Sequence, residues 1–142
     1  MIFTLKLVVT AVHMAALGQI EGGADDISRH GKNGEITRYQ VLPVVLHHHG
    51  CGTADVEDAA GAARACQRIW QYRVNVFIED NLRGPDLEEL YLLWHRPALV
   101  LKPTRQPTRR EVERAQRFAN LVEALEQNKN NKNNKNTTCK LN

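Results

Sequence analysis

Two stretches of the chain put chemically useful side chains where apolar sequence meets turn-forming sequence. The first ends in Glu21, which closes the run MAALGQI and is followed by Gly22-Gly23. A carboxylate at the end of a buried helix loses water, which raises its pKa and suits it to donate a proton near neutral pH. The flanking glycines leave room for a substrate to approach closely. The second stretch is GEITRYQVLP, Gly34 to Pro43, with Gln40 between Tyr39 and the apolar pair Val41-Leu42. An amide serves hydroxyl and acetamido groups and a ring covers the apolar face of a sugar, so the pair is suited to a carbohydrate site. The same positions also read as a helix-terminal surface acid and as a strand with a core Tyr and a solvent-facing Gln.

Other groups point to no chemistry of their own. His47-His48-His49 would point apart on a regular element, and no Cys or carboxylate stands at ligand spacing from them, so no metal is expected. Cys51, Cys66 and Cys139 form no CxxC pair. Cys51 and Cys66 are either a disulfide or two free thiols. Arg109, Arg110, Arg114 and Arg117 alternate with Glu111 and Glu113, the pattern of a solvated helix face. Neither GxGxxG nor GxxxxGK[ST] occurs, which excludes a nucleotide-binding domain of the doubly wound kind. No cofactor is expected.

These groups need elements to hold them, and the 142 residues suffice for one domain with one core. The spacing of Leu7, Val8, Ala11, Ala15 and Ile20 predicts a core helix ending near Glu21, with the glycines as its stop. A signal segment cut near Ala16 is the alternative, and it would remove the helix that carries Glu21. The apolar run is too short to cross a bilayer. Residues 22–37 read as a loop, and 36–42 as a short strand or irregular structure. Pro43 opens a short helix. Thr53 caps a helix over 54–78, and Asp86 with Glu89 begins another that ends before Pro97. Thr108 caps the last, 109 to about 127, with Val112, Ala115, Ala119, Val122 and Leu125 on one stripe.

The expected fold is therefore mainly α, one helical domain over 1–127, with at most a short β element near 36–42. Residues 128–142, rich in Asn and Lys, read as a disordered tail. The net charge is +3, but this tail holds four of the 19 basic residues and no acid; the remaining 15 face 16 acids. A near-neutral body with a basic tail is not the footprint of a nucleic-acid binder.

Taken in order, these features resemble lysozyme-like proteins, the lytic transglycosylases and goose-type lysozymes. That family carries a catalytic Glu after an apolar helix, a loop, then a G-x-x-G-x-x-Q-x-M-P segment. Gly34, Gln40 and Pro43 stand at that spacing, with Leu42 in the Met place and Thr37 in that of the second Gly. Trp94 and His95 fall where the family's later helix has Tyr and Asn, and Gly22 replaces the Ser after the Glu. The resemblance implies a peptidoglycan substrate, with Glu21 as the single acid/base and Gln40, Tyr39, Trp94 and His95 as sugar-binding residues. It also implies a monomer in the cell envelope, periplasmic or secreted. A transglycosylase needs no second carboxylate, whereas an inverting hydrolase does, for which Asp25, Asp26 and Glu35 are the candidates. The departures leave a second reading open: a lysozyme-like domain that binds glycan or protein without cleaving it.

Overall fold

The computed structural model describes residues 6–22 and 31–139. They are mainly helical: α1 Ala11–Glu21, α2 Pro43–His48, a 3-10 turn Thr53–Val56, α3 Ala59–Asn81, α4 Leu87–His95, α5 Ala98–Leu101 and α6 Arg109–Cys139. Strand structure among the described residues is limited to one antiparallel bridge, Ile36 with Val41. No described helix is long and apolar enough to cross a membrane.

Side chains fix the helix starts. Thr10 accepts from the His13 N–H, and His13 Nδ1 accepts from the Thr10 N–H, a reciprocal cap in which imidazole replaces the usual carboxylate. Asp86 and Glu89 cap α4, and Thr108 and Glu111 cap α6, in the same way. α3 begins five residues later than its predicted 54, because Asp58 and not Thr53 captures the first free N–H, that of Gly61. Asp55 holds the Gly52 N–H, closing the 3-10 turn as a separate piece.

α6 packs across α1 and α4, and α4 also meets α3 and α5. Trp70 of α3 lies where these helices converge. It is fully buried, its ring centroid is 5.8 Å from Phe118 and 5.9 Å from Trp94, and its Nε1–H donates to Leu90 O at 2.8 Å. Burial of such rings is the main stabilising contribution in a domain of this size.

The segment before α1 is tied to α3 as an extra strand would be. Gln71 accepts from Val9 N–H and donates to Leu7 O, and Gln67 donates to Val9 O. Residues 7–21 therefore belong to the folded body. The face that α1 buries differs from the predicted one: His13, Met14, Ala16 and Leu17 point inward, while Val8, Ala11 and Ala15 are exposed. In α6, Ala115 and Val122 are buried as expected, with Phe118 between them, but Val112 is exposed.

One further reading is corrected, and one alternative left open is decided. The Asn/Lys segment read as disordered over 128–142 continues α6 as far as Cys139, with its side chains exposed through Thr137, and its last three positions lie outside the described residues. No Gly or Pro after Pro107 interrupts that helix. Cys51 and Cys66 are buried free thiols, and burial pushes the Cys66 thiol up to about 12.

Candidate active site

The end of α1, the turn over 31–42, the end of α4 and one face of α6 enclose an open cleft of about 1220 Å³. Four local facts position its groups. α1 stops at Glu21 because Gly22 caps it, donating its N–H to Gly18 O at 2.9 Å. The turn is a tight loop: Ile36 and Val41 exchange both backbone hydrogen bonds, at 2.8 and 3.0 Å, with Thr37 to Gln40 between them. Closing so short a loop puts Thr37 and Gln40 in the left-handed region, at φ 65° and 55°. A β-branched residue there is strained, and such strain is held only where the surroundings over-determine it. Finally, α4 ends with Trp94 and His95 because Pro97 follows closely.

Glu21 lies in the cleft wall with its side chain only 7% exposed. Tyr91 Oη–H donates to one carboxylate oxygen at 2.5 Å. Arg114 Nη2 donates to the other at 3.2 Å and to Ile20 O at 3.2 Å. His95 Nδ1 stands 3.5 Å from the oxygen that Tyr91 holds, its ring stacked on Tyr91 at 5.5 Å. Burial raises the Glu21 pKa, as the sequence suggested, but His95, Tyr91 and the Arg114 charge outweigh it. The net direction is downward, so the carboxyl is ionised at neutral pH in the free protein. The expected upward shift is thus reversed, because the partners are more numerous than a helix end alone provides. The Tyr91 hydroxyl is pushed up by burial and by the Glu21 charge, so it remains a donor.

The opposite wall carries Gln40 and Glu35, whose side chains converge over Gly31. Gln40 donates through Nε2 to Thr37 O at 2.9 Å, which fixes its amide. Glu35 accepts from the Asn33 backbone N–H at 2.8 Å. Bonds from its own and the Asn33 N–H groups hold its pKa down, while the Glu21 charge across the cleft works the other way. Asp25 and Asp26 lie outside the described residues.

A scan of protein-family models and searches of curated proteins and solved structures found no match for this chain.

The remaining candidates divide. His95 reaches the cleft and Glu21. Trp94 lines the cleft floor but is mostly buried: Nε1–H donates to Tyr39 O at 2.9 Å, and the Arg73 guanidinium lies over its ring. Tyr39 is not a cleft residue. Its side chain belongs to the core, and its backbone carbonyl, not its ring, serves the site by anchoring Trp94. Gly22 leaves no room for substrate either. A Cβ there would overlap Arg38 O and lie 2.6 Å from Arg38 Cα, so the space is taken by the turn itself.

Gly22→Ala is therefore expected to push the turn away from α1. The cost is about 1–3 kcal/mol, seen as a lower denaturation midpoint, as for other overpacked sites. An unchanged midpoint would mean that the turn does not rest on α1.

Three contributors escaped sequence reading. Arg114 and Glu111 belonged to a face read as solvated, and Tyr91 lies inside the helix predicted to begin at Asp86. Glu111 is 7% exposed. It accepts from Arg105 at 2.9 Å, and that bond chiefly holds its pKa at about 2; its other oxygen lies 3.8 Å from His95 Nε2. Thr108 three residues earlier marked it as a cap. Nothing local marked Arg114, which meets Glu21 across 93 residues. His47 and His48 end α2 in solvent, and among the described residues no group of three His, Cys, Asp or Glu could hold a metal.

Proposed function

We propose that this protein is a lysozyme-like glycosidase that cleaves the β-1,4 bond between N-acetylmuramic acid and N-acetylglucosamine in peptidoglycan. It would act as a monomer at the cell envelope, in the periplasm or outside the cell. The observation that carries the reading is Glu21: a buried, hydrogen-bonded carboxylate in the wall of a large cleft, with an amide and a second carboxylate facing it. The turn adds support. Thr37 keeps a left-handed φ at the place where the resembled segment has a glycine, the residue that takes that φ without strain.

In this reading a sugar chain lies in the cleft and displaces water from Glu21. The carboxyl, once protonated, gives its proton to the glycosidic oxygen as the C1–O bond breaks and an oxocarbenium-like centre forms. The carboxylate then removes a proton from the incoming hydroxyl. If that is the muramyl C6 hydroxyl, an anhydro ring closes and Glu21 alone suffices. If it is water, Glu35 across the cleft would take its proton in place of Glu21.

One observation favours a second reading, a domain that binds glycan without cleaving it. The bonds from His95 and Tyr91, with the Arg114 charge, outweigh burial and keep Glu21 ionised, which opposes proton donation. A digest of purified peptidoglycan, with products read by mass spectrometry, decides between them. Anhydro-muropeptides assign a lytic transglycosylase, and new reducing ends assign a hydrolase using Glu35. No product from folded protein overturns the glycosidase reading and leaves the binding domain.

A further inference from the structure

We infer that the α6 wall of the cleft is a binding strip for carboxylates carried on the glycan strand, which makes an anionic strand, and not a neutral one, the preferred substrate. This rests on the glycosidase reading above and names the form of the substrate.

Arg110, Arg114 and Arg117 follow one another at four and three residues, so they share one face of α6, and all three line the cleft. They span about 10 Å of groove at the rise of an α-helix. Arg114 is committed to Glu21. Arg110 and Arg117 have no ion-pair partner among the described residues. The one acid on the same wall, Glu113, is held by Arg109 at 2.9 Å. Across the cleft, Lys32 adds a cation beside Glu35. Beyond Arg117 a second hollow of about 460 Å³ shares Gln19, Ile20 and Arg117 with the first. The groove therefore continues along the α1–α6 seam, with Arg117 where the two hollows meet.

Two guanidinium groups with no ion-pair partner among the described residues, set in one groove, repel each other and concentrate anions. The planar fork of Arg matches a carboxylate with two parallel hydrogen bonds, whereas sugar hydroxyls satisfy it less well. Carboxylates on a peptidoglycan strand have two sources: the peptide branches, or the lactyl group exposed once the branches are removed.

Kinetics on three forms of one strand test the inference: peptide branches intact; the same with carboxylates amidated by carbodiimide and methylamine; and branches removed by an amidase. The wild type is expected to show a KM about tenfold lower on the intact strand than on the amidated one, equivalent to about 1.4 kcal/mol. Added salt should erase most of that preference. Arg110→Gln with Arg117→Gln raises the KM for the intact strand towards the amidated value, in KM and not in kcat, and each single variant gives part of the rise. Arg64→Gln, an exposed cation on α3 outside the cleft, keeps the wild-type preference. The amidase-treated strand tests the source: behaviour like the amidated strand means that only the peptide carboxylates are bound, and behaviour like the intact strand means that the exposed lactyl carboxylate serves as well. Equal KM values on intact and amidated strands, or a preference that survives in folded double variant, overturns the strip. Cleavage of no strand at all overturns the glycosidase reading and the strip with it.

Discussion

Glu21→Gln is expected to lower kcat/KM on peptidoglycan by about 10²–10⁴-fold, the usual contribution of a positioned acid/base. The amide fills the same space and still accepts from Tyr91, so the cleft keeps its shape. Arg114 loses its anion but is 24% exposed and retains Ile20 O. The stability cost should therefore stay well below the 3–5 kcal/mol or so of breaking a fully buried pair. Digestion rate and thermal midpoint, measured on the same preparation, separate the two effects. A folded variant with undiminished cleavage removes Glu21 from the mechanism.

The pH dependence follows from the direction of the Glu21 shift. Its folded pKa lies below the ordinary 4.5, so the acid form of the free protein is scarce at neutral pH. As pH falls towards the carboxylate range, kcat/KM should rise, since it reports the free enzyme's pKa. A bound strand strips water from Glu21 and raises its pKa, so the same limb in kcat should lie at higher pH. Stability has the opposite sign. Glu21 and Glu111 are both depressed on folding, so their contribution is complete above about 4.5. It is lost as pH falls through their folded values, about 2 for Glu111. Activity is thus expected to peak in mild acid, bounded above by the proton on Glu21 and below by loss of the fold.

What was legible in the sequence was local. Asp86 with Glu89 and Thr108 before Arg109 mark helix starts because a cap is a bond within four residues. Pro43 and Pro97 mark boundaries because proline fixes its own φ and removes a donor. The mainly α class followed from those marks. The buried face of α1 was not legible, because AVHMAALGQI is apolar all round and period alone cannot choose a side. Its inward residues are set by what lies opposite, Trp70 beside His13 and α6 across the helix. The site was half legible for the same reason. Glu21, Glu35, Gln40 and His95 sit at element ends, where side chains meet a cleft. Tyr39 was misplaced because a one-residue step along a tight turn exchanges core for cleft. Arg114 was invisible because a charged residue on an amphipathic helix reads the same whether it faces water or an acid.

Trp70→Ala is expected to be the most destabilising single change, about 3–5 kcal/mol, in line with other buried Trp truncations. Set against a total stability of about 5–15 kcal/mol, that removes much of the margin. The cost has two parts. The cavity opens between Phe118 and Trp94, where α3, α4 and α6 meet, and neighbouring rings cannot collapse into it without moving helices. Leu90 O also loses its side-chain donor and keeps only its bond within α4. Trp70→Phe separates the parts: it keeps most of the packing and loses the N–H, so it should cost well under half as much. Chemical denaturation, with the midpoint shifting and the slope unchanged, is the measurement. A cost under about 1 kcal/mol for the Ala variant would mean that the three helices do not depend on this ring. The consequence reaches the site along a short path. Leu90 precedes Tyr91, the donor to Glu21, and Trp94 and His95 follow on the same helix. The bond from Trp70 to Leu90 therefore holds the helix that orients the carboxylate. Even below its unfolding transition, Trp70→Ala should cleave more slowly than its folded fraction accounts for.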